Sequence, residues 1–363
     1  MGKRVVIRAD ASQVIGSGHV MRCLTLAERL RRRGEDVTFV SRELPGNLIA
    51  HVEAQGFEVL HLPQHEADAA LAGYAAWLTV PQATDAEETL AALQGRRMDL
   101  LVVDSYALDA AWEQRLRPHA GRIFVIDDLA NRVHDCDVLL DQNFYRDGAH
   151  RYDGLVPTDC QLLLGPQHAL LREEFFAARR ELRERDGSLR RVFVFYGGSD
   201  LTRETEKAVR ALLAVSELAL TADIVVGSSN AHIAEVRALC DGHANLHLHV
   251  QAQNMAELMA SADLALGAGG TTTWERCYLG LPALVTAIAE NQFAVAADCG
   301  AAGLIRYLGT WTDVTEARLV EDLRTCARTE VLRELQRRCQ LDVQADDATE
   351  ADTAGNMEEV LST

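Results

Sequence analysis

Arg8-Ala9-Asp10-Ala11-Ser12-Gln13-Val14-Ile15-Gly16-Ser17-Gly18-His19-Val20-Met21-Arg22 is the stretch that decides the fold of the first half of this chain. It grows out of a β-branched run at 4–8, which predicts a strand. It leads into an amphipathic run at 19–33 with Met21, Leu24, Leu26, Ala27 and Leu30 on its apolar side and Gly34 as its stop. A strand, a glycine-bearing loop and a helix in that order open an α/β unit. Gly16 and Gly18 allow the backbone to turn sharply and to approach a ligand closely. The positive end of a helix disfavours a cation, so an imidazole in the first turn stays neutral and can take a proton from water. His19 therefore reads either as a general base facing an anionic ligand or as a residue that only caps the helix. The dinucleotide fingerprint is incomplete, because Met21 stands where Gly-x-Gly-x-x-Gly needs its third glycine, and a nicotinamide or flavin site is set aside.

Strands and helices alternate outward from this stretch. The patterning predicts further strands at 36–42, 57–62, 99–104, 122–127, 136–140 and 161–164, with helices at 48–55, 83–93 and 109–117. Residues 170–185 read as a charged connecting helix, and Asp186-Gly187-Ser188 as a break. A second series follows, with strands at 191–196, 223–226, 245–250, 263–266 and 283–286. Its helices are expected at 202–215, 233–239, 256–260, 271–278, 293–299, 316–327 and 331–340, with a short one at 357–361. The fold class is α/β, with two doubly wound Rossmann-type domains, which usually bind ligand in the cleft between them. The expected division is an N-terminal domain at 1–168, a linker helix at 169–188, a C-terminal domain at 189–345 and a tail helix at 346–363. A length of 363 residues suits two domains.

Composition narrows the function. The formal net charge is −18, from 36 basic and 54 acidic residues, which argues against a nucleic-acid partner. An anionic substrate must then be met locally, by backbone N–H groups and helix ends. The eight cysteines are scattered and form no Cys-x-x-Cys pair, as expected of free thiols in a reducing compartment. No leading apolar signal stretch and no run of 18 apolar residues occurs, so a cytoplasmic protein without a membrane partner is expected.

Two glycine-bearing loops of the second half follow strands: Tyr196-Gly197-Gly198-Ser199-Asp200 and Gly267-Ala268-Gly269-Gly270-Thr271-Thr272-Thr273-Trp274-Glu275. Free N–H groups at such helix starts suit a diphosphate, and Glu275, one turn in, suits ribose hydroxyls. Neither loop is a Walker motif, which disfavours a kinase or ATPase. Glu290-Asn291-Gln292 is a polar cluster between an apolar strand and an apolar helix, read as a helix cap or as a donor and acceptor set for ligand. In the first half, Asp10 reads as orienting His19 or holding a sugar hydroxyl, and Tyr106, after Asp104, as a donor to a sugar or phosphate oxygen. Arg22, one turn beyond His19, reads as a phosphate or carboxylate partner or a surface residue. Asp127-Asp128 reads as a helix cap or a solvated strand end, not as a metal pair.

The joint order of these motifs closely resembles the UDP-2,4-diacetamido-2,4,6-trideoxy-β-L-altropyranose hydrolases of pseudaminic acid biosynthesis. The resemblance runs from residue 4 to about 300 and is carried by the 8–27 stretch, Val103-Asp104-Ser105-Tyr106, Tyr196-Gly197-Gly198-Ser199-Asp200, Gly269 to Glu275 and Glu290-Asn291-Gln292. That family is similar in fold to the inverting GT-B glycosyltransferases. The resemblance implies that the C-terminal domain binds UDP, that the N-terminal domain holds the sugar, and that water is the nucleophile. It implies His19 as the catalytic residue, with Tyr106 and Asn291 near the sugar and phosphates, and no metal or other cofactor. With Asp10 these make the expected catalytic set. The expected UDP contacts are Gly18, Gly197, Gly198, Ser199, Gly269, Gly270, Thr271, Thr272, Glu275 and Gln292, with Arg22 as a further substrate contact. Two other readings remain open on the residues alone: a glycosyltransferase using an acceptor, and a binder of nucleotide sugars without turnover.

Overall fold

The computed structural model describes residues 2–340. Among the described residues, 2–143 together with Asp147–Leu170 form one compact unit, and Phe144–Arg146 with 171–340 form a second. The expected boundary at 345 and the expected helix at 357–361 lie outside the described residues.

The first unit contains β1 (Arg4–Ala9), α1 (Gly18–Arg32), β2 (Asp36–Arg42), α2 (Ile49–Ala54), β3 (Glu58–Leu62), α3 (Gln82–Leu93), β4 (Met98–Asp104), α4 (Ala110–Leu116), β5 (Ala120–Ile126), β6 (Val138–Asp141) and β7 (Gln161–Leu164). Its strands lie in the order β3-β2-β1-β4-β5-β6-β7, all parallel. Alternate residues of β1 serve opposite layers, as the two-residue period of a strand requires. Val5 and Ile7 pack with Val20, Cys23, Leu24 and Leu30 of α1, while Val6 packs with Leu101, Val103 and Trp112 on the other face.

The second unit contains α5 (Glu173–Arg180), β8 (Arg191–Phe195), α6 (Glu204–Ala214), β9 (Thr221–Val226), α7 (Ile233–Cys240), β10 (Leu246–Val250), α8 (Met255–Ser261), β11 (Leu264–Ala268), α9 (Thr272–Tyr278), β12 (Ala283–Ala287), α10 (Phe293–Ala302), β13 (Arg306–Thr310), α11 (Glu316–Cys326) and α12 (Thr329–Arg338). Its parallel order is β10-β9-β8-β11-β12-β13. In both sheets the first strand of the unit sits beside a strand reached by a long crossover, β1 beside β4 and β8 beside β11. Each pair marks the point where the winding reverses, and loops leaving the C-terminal ends of such a pair diverge and open a crevice.

The structure differs from the sequence expectation in three places. The connecting helix is only α5, because the chain beyond it is held by other bonds. Arg183 donates to Asp263 at 2.5 Å, and Arg185 donates to the carbonyls of Ala262 and Leu279 at 2.8 and 2.7 Å. The edge strand β13 escaped notice because it is half-buried and alternates poorly, and its pairing to β12 shifts register between Val285 and Thr286. A short 3-10 helix at Gly73–Leu78, also unanticipated, is taken up below.

A buried charge cluster ties α3 to the sheet. Asp85 of α3 accepts from Arg8 of β1 and Arg42 of β2, each at 2.7 Å, and from the Trp112 indole at 2.9 Å. Burial alone would raise the Asp85 pKa, but Arg8 and then Arg42 outweigh it and hold the carboxyl below its usual range. Arg8 also meets Asp10 at 2.6 Å, and Arg42 meets Glu88 at 2.7 Å. Truncating one partner of a buried ion cluster leaves uncompensated charge behind, at a cost of about 3–5 kcal/mol. Asp85→Ala is expected to lose stability of that order in urea denaturation. A loss under about 1 kcal/mol would mean that Asp10 and Glu88 suffice to balance the arginines.

Candidate active site

The loop from β1 to α1 is a compact knot. The Ser12 hydroxyl accepts from the N–H groups of Val14 and Ile15 at 3.2 and 3.0 Å, and Gly16 N–H donates to the Ser12 carbonyl at 2.9 Å. Gly16 has φ +80°, a left-handed value that suits glycine. Gly18 opens α1 in an ordinary conformation, and a side chain there would point into open space. His19 follows, buried, at the start of the helix.

Its partner comes from the neighbouring strand. Ala9 of β1 is in register with Asp104 of β4, so the end of β4 faces the start of α1. His19 Nδ1 lies 2.5 Å from Asp104 Oδ1. Arg22, one turn along α1, donates Nε to Oδ2 at 2.6 Å and Nη2 to Oδ1 at 2.7 Å of the same carboxylate. Burial would raise the Asp104 pKa, but Arg22 first and then His19 outweigh it and hold the carboxyl well below the usual range. An ionised carboxylate only accepts. Arg22 Nη2, 3.3 Å from Nδ1, is itself a donor. In a neutral ring the Nδ1 proton therefore goes to Asp104, and Nε2 is the acceptor.

Asp10 accepts from the Arg42 backbone N–H at 2.7 Å and meets Arg8 at 2.6 Å. The residue bonded to the imidazole is Asp104, whose place at a strand end was seen in the sequence but whose partner was not. Arg22 is buried, with its guanidinium between Asp104 and Asp128, the latter at 3.3 Å. The Tyr106 hydroxyl donates to Asp128, and its ring stands edge-on to His19 at 4.6 Å between centroids. Burial, and then the Asp128 charge, push the Tyr106 pKa well up. Asp127 and Asp128 are buried, not solvated: Arg132 meets Asp127 at 2.7 Å, and Asn143 donates to Asp128 at 3.1 Å. From the 3-10 helix, Trp77 lies edge-on to the His19 ring, and Tyr74 packs on Trp77 and Tyr106. No periodicity in that Gly/Ala-rich segment pointed to them.

In the second unit the expected residues gather at the C-terminal ends of β8, β11 and β12. Gly197 and Gly198 follow β8, and Gly197 takes φ +95°. A side chain on Gly227, after β9, would lie 2.5 Å from the Gly198 carbonyl oxygen, so these two loops are in close contact. Ser199 is half-buried, and Asp200 caps α6 by accepting from the N–H groups of Glu204 and Thr205 at 3.0 and 2.8 Å. Gly269, Gly270 and Thr271 connect β11 to α9, which begins at Thr272. Gln292 Oε1 accepts from Gly269 N–H at 3.2 Å and Ile288 N–H at 3.1 Å, tying this loop to the turn after β12. Asn291 lies in that turn, half-buried. Glu275 Oε1 accepts from Arg172 Nε at 2.9 Å. Its other oxygen is buried and makes no hydrogen bond among the described residues.

Comparison with known proteins bears on the fold. Residues 191–348 match the glycosyltransferase family 28 C-terminal domain. Acinetobacter baumannii MurG aligns with a TM-score of 0.60 at 16% identity, covering 97% of this chain and 98% of that one. Arabidopsis thaliana UGT89C1, complexed with UDP-L-rhamnose, aligns at 0.64 and 14% identity, covering 100% and 99%. The chain has a GT-B fold. Within that class its sequence is similar to the UDP-2,4-diacetamido-2,4,6-trideoxy-β-L-altropyranose hydrolase of Campylobacter jejuni, 29% identical over 259 residues, 70% of this chain and 81% of the relative. It is also 27% identical over 306 residues to the spore coat polysaccharide biosynthesis protein SpsG of Bacillus subtilis, 82% of each chain.

One carboxyl beside Asp128 has an unusual titration. Asp141, at the end of β6, is pushed up to about 7 by burial and by the charge of Asp128. It accepts from Asn143 N–H at 2.9 Å and from the Tyr152 hydroxyl at 3.1 Å. The folded state thus binds this proton more tightly than the unfolded chain, whose aspartates titrate near about 4. Stability from this group is full below that value and is lost as the pH rises from about 4 through about 7. Asp141→Asn removes the titration and is expected to flatten the fall in Tm across that window. An unchanged slope would show that Asp141 does not titrate there.

Proposed function

We propose that this chain hydrolyses the C1–O bond of a UDP-linked 2,4-diacetamido-2,4,6-trideoxyhexose, releasing UDP and the free sugar for nonulosonic acid synthesis. The observation that carries the reading is the pairing of His19 Nδ1 with Asp104, which leaves Nε2 as the only free acceptor of the ring. The similarity to the Campylobacter jejuni hydrolase supports water as the nucleophile and supplies the substrate class.

In this reading a water O–H proton passes to His19 Nε2 while the water oxygen attacks the anomeric carbon. The C1–O bond breaks with its electron pair leaving on the β-phosphate oxygen of UDP. The imidazolium that forms is stabilised by Asp104, whose own charge is maintained by Arg22. The loop at 269–272 takes the diphosphate. Gly269 N–H is already bonded to Gln292, so the donors for the departing phosphate are the N–H groups beyond it. Glu275 accepts from the ribose diol with the oxygen that Arg172 leaves unused. Asn291 and Gly197–Ser199 contact phosphate or sugar.

A second reading, glycosyl transfer to an acceptor, is favoured by the family 28 match. UDP release with no acceptor and with chelator present separates the two. Hydrolysis predicts release of UDP and free sugar in equal amounts, and transfer predicts no release until an acceptor is added. His19→Ala and Asp104→Asn are each expected to lower kcat by roughly 10²-fold or more with UDP affinity unchanged. Near-normal turnover in His19→Ala would overturn the assignment of the base. Glu275→Ala is expected to weaken UDP binding by about tenfold or more, the scale of a hydrogen bond to a charged acceptor, and an unchanged affinity would remove Glu275 from the ribose role.

A further inference from the structure

The 3-10 helix at Gly73–Leu78 has a simple construction. Leu78 and, just beyond it, Val80 are buried in the core and anchor the segment. Side chains three residues apart eclipse one another in a 3-10 helix, so Tyr74 and Trp77 leave it on one side. Their rings meet at 4.9 Å between centroids, edge to face. Trp77 also lies 5.5 Å from the Tyr106 ring at a shallow 31°, and 5.9 Å from the His19 ring. Both residues are half-buried, whereas the imidazole and Tyr106 beneath them are buried. The fold thus leaves part of the Tyr74 and Trp77 ring surface exposed beside the buried His19 and Tyr106 rings, where a core would have covered it.

We infer that Tyr74 and Trp77 are specificity-determining residues, forming an aromatic face that receives the C6 methyl edge of a 6-deoxy sugar beside His19. The inference rests on the function proposed above and names what selects its substrate. A 2,4,6-trideoxy sugar with two acetamido groups has a methyl at C6 where common hexoses carry a hydroxyl. Burying a methyl against aromatic faces is favourable, while a hydroxyl buried there without a partner loses its hydrogen bonds to water. Such a face sets a preference of about tenfold to hundredfold for the methyl, the range an apolar pocket gives against one added hydroxyl. It also keeps bulk water away from the base.

The test compares two non-hydrolysable UDP-C-glycosyl analogues of the 2,4-diacetamido-β-L-altro sugar, one with a methyl and one with a hydroxymethyl at C5, by their dissociation constants, with UDP alone as reference. The native protein is expected to bind the 6-deoxy analogue at least about tenfold more tightly. Trp77→Ala and Tyr74→Ala should remove most of that preference while leaving UDP affinity unchanged, which also reports an intact fold. Trp77→Phe should restore part of it. Absence of the preference in the native protein, or its persistence in both alanine variants, overturns the inference. A purely structural role would weaken both analogues equally, and that too overturns it. Turnover assays separate this from the parent reading. UDP release from the diacetamido substrate without a 6-deoxy preference removes the aromatic face but keeps the hydrolase. A preference without any release removes the hydrolase.

Discussion

The site in the first unit depends on one carboxylate. Asp104 is buried, and its two oxygens take the His19 imidazole and two nitrogens of Arg22. A buried charge is tolerated only where its lone pairs are used and a counter-charge is near, and Arg22 supplies both conditions. Because the carboxylate stays ionised, a neutral imidazole has a single available tautomer, with its proton on Nδ1. Helix α1 contributes the imidazole and its guanidinium neighbour one turn apart, and β4 contributes the anion between them. The chemistry is thus fixed by the lateral packing of a helix against a strand end, which is among the more rigid relations in an α/β unit.

The same topological device serves both units. In each, the winding reverses beside the first strand, and the loops that leave there carry the polar residues. In the first unit these are His19 after β1 and Asp104 with Tyr106 at the end of β4. In the second they are the glycine loop after β8 and the 269–272 loop after β11. The chemistries differ because the loop residues differ. One crevice has an imidazole among aromatic rings. The other has backbone N–H groups, a glutamine that pins two loops together, and a glutamate with one oxygen left over.

Much of this was legible in the sequence because it is local. A β-branched run, a glycine-bearing loop and an amphipathic helix announce a unit wherever they occur, and His19 was marked by its place at a helix start. What the sequence did not disclose is long-range pairing. Asp104 lies 85 residues from His19 and 82 from Arg22, and nothing in the pattern of either segment names the other. Arg22 looked like a contact for an anionic ligand because its internal carboxylates were out of view. Asp127 and Asp128 looked like a strand end in water because Arg132 and Asn143 come from other segments. Tyr74 and Trp77 sit in a segment without helical or strand periodicity, so only the packed fold brings them to the imidazole.

The loop between β1 and α1 plays a smaller part in holding His19 than its position suggests. It is closed by its own hydrogen bonds, and Val14 at its tip is 71% exposed. The imidazole is also held from the other side, through Asp104 and Arg22, by bonds that use no side chain of residues 12–17. A scaffold of this kind can vary the exposed tip of the loop while the bonds that hold the imidazole, which come from β4 and the next turn of α1, stay as they are.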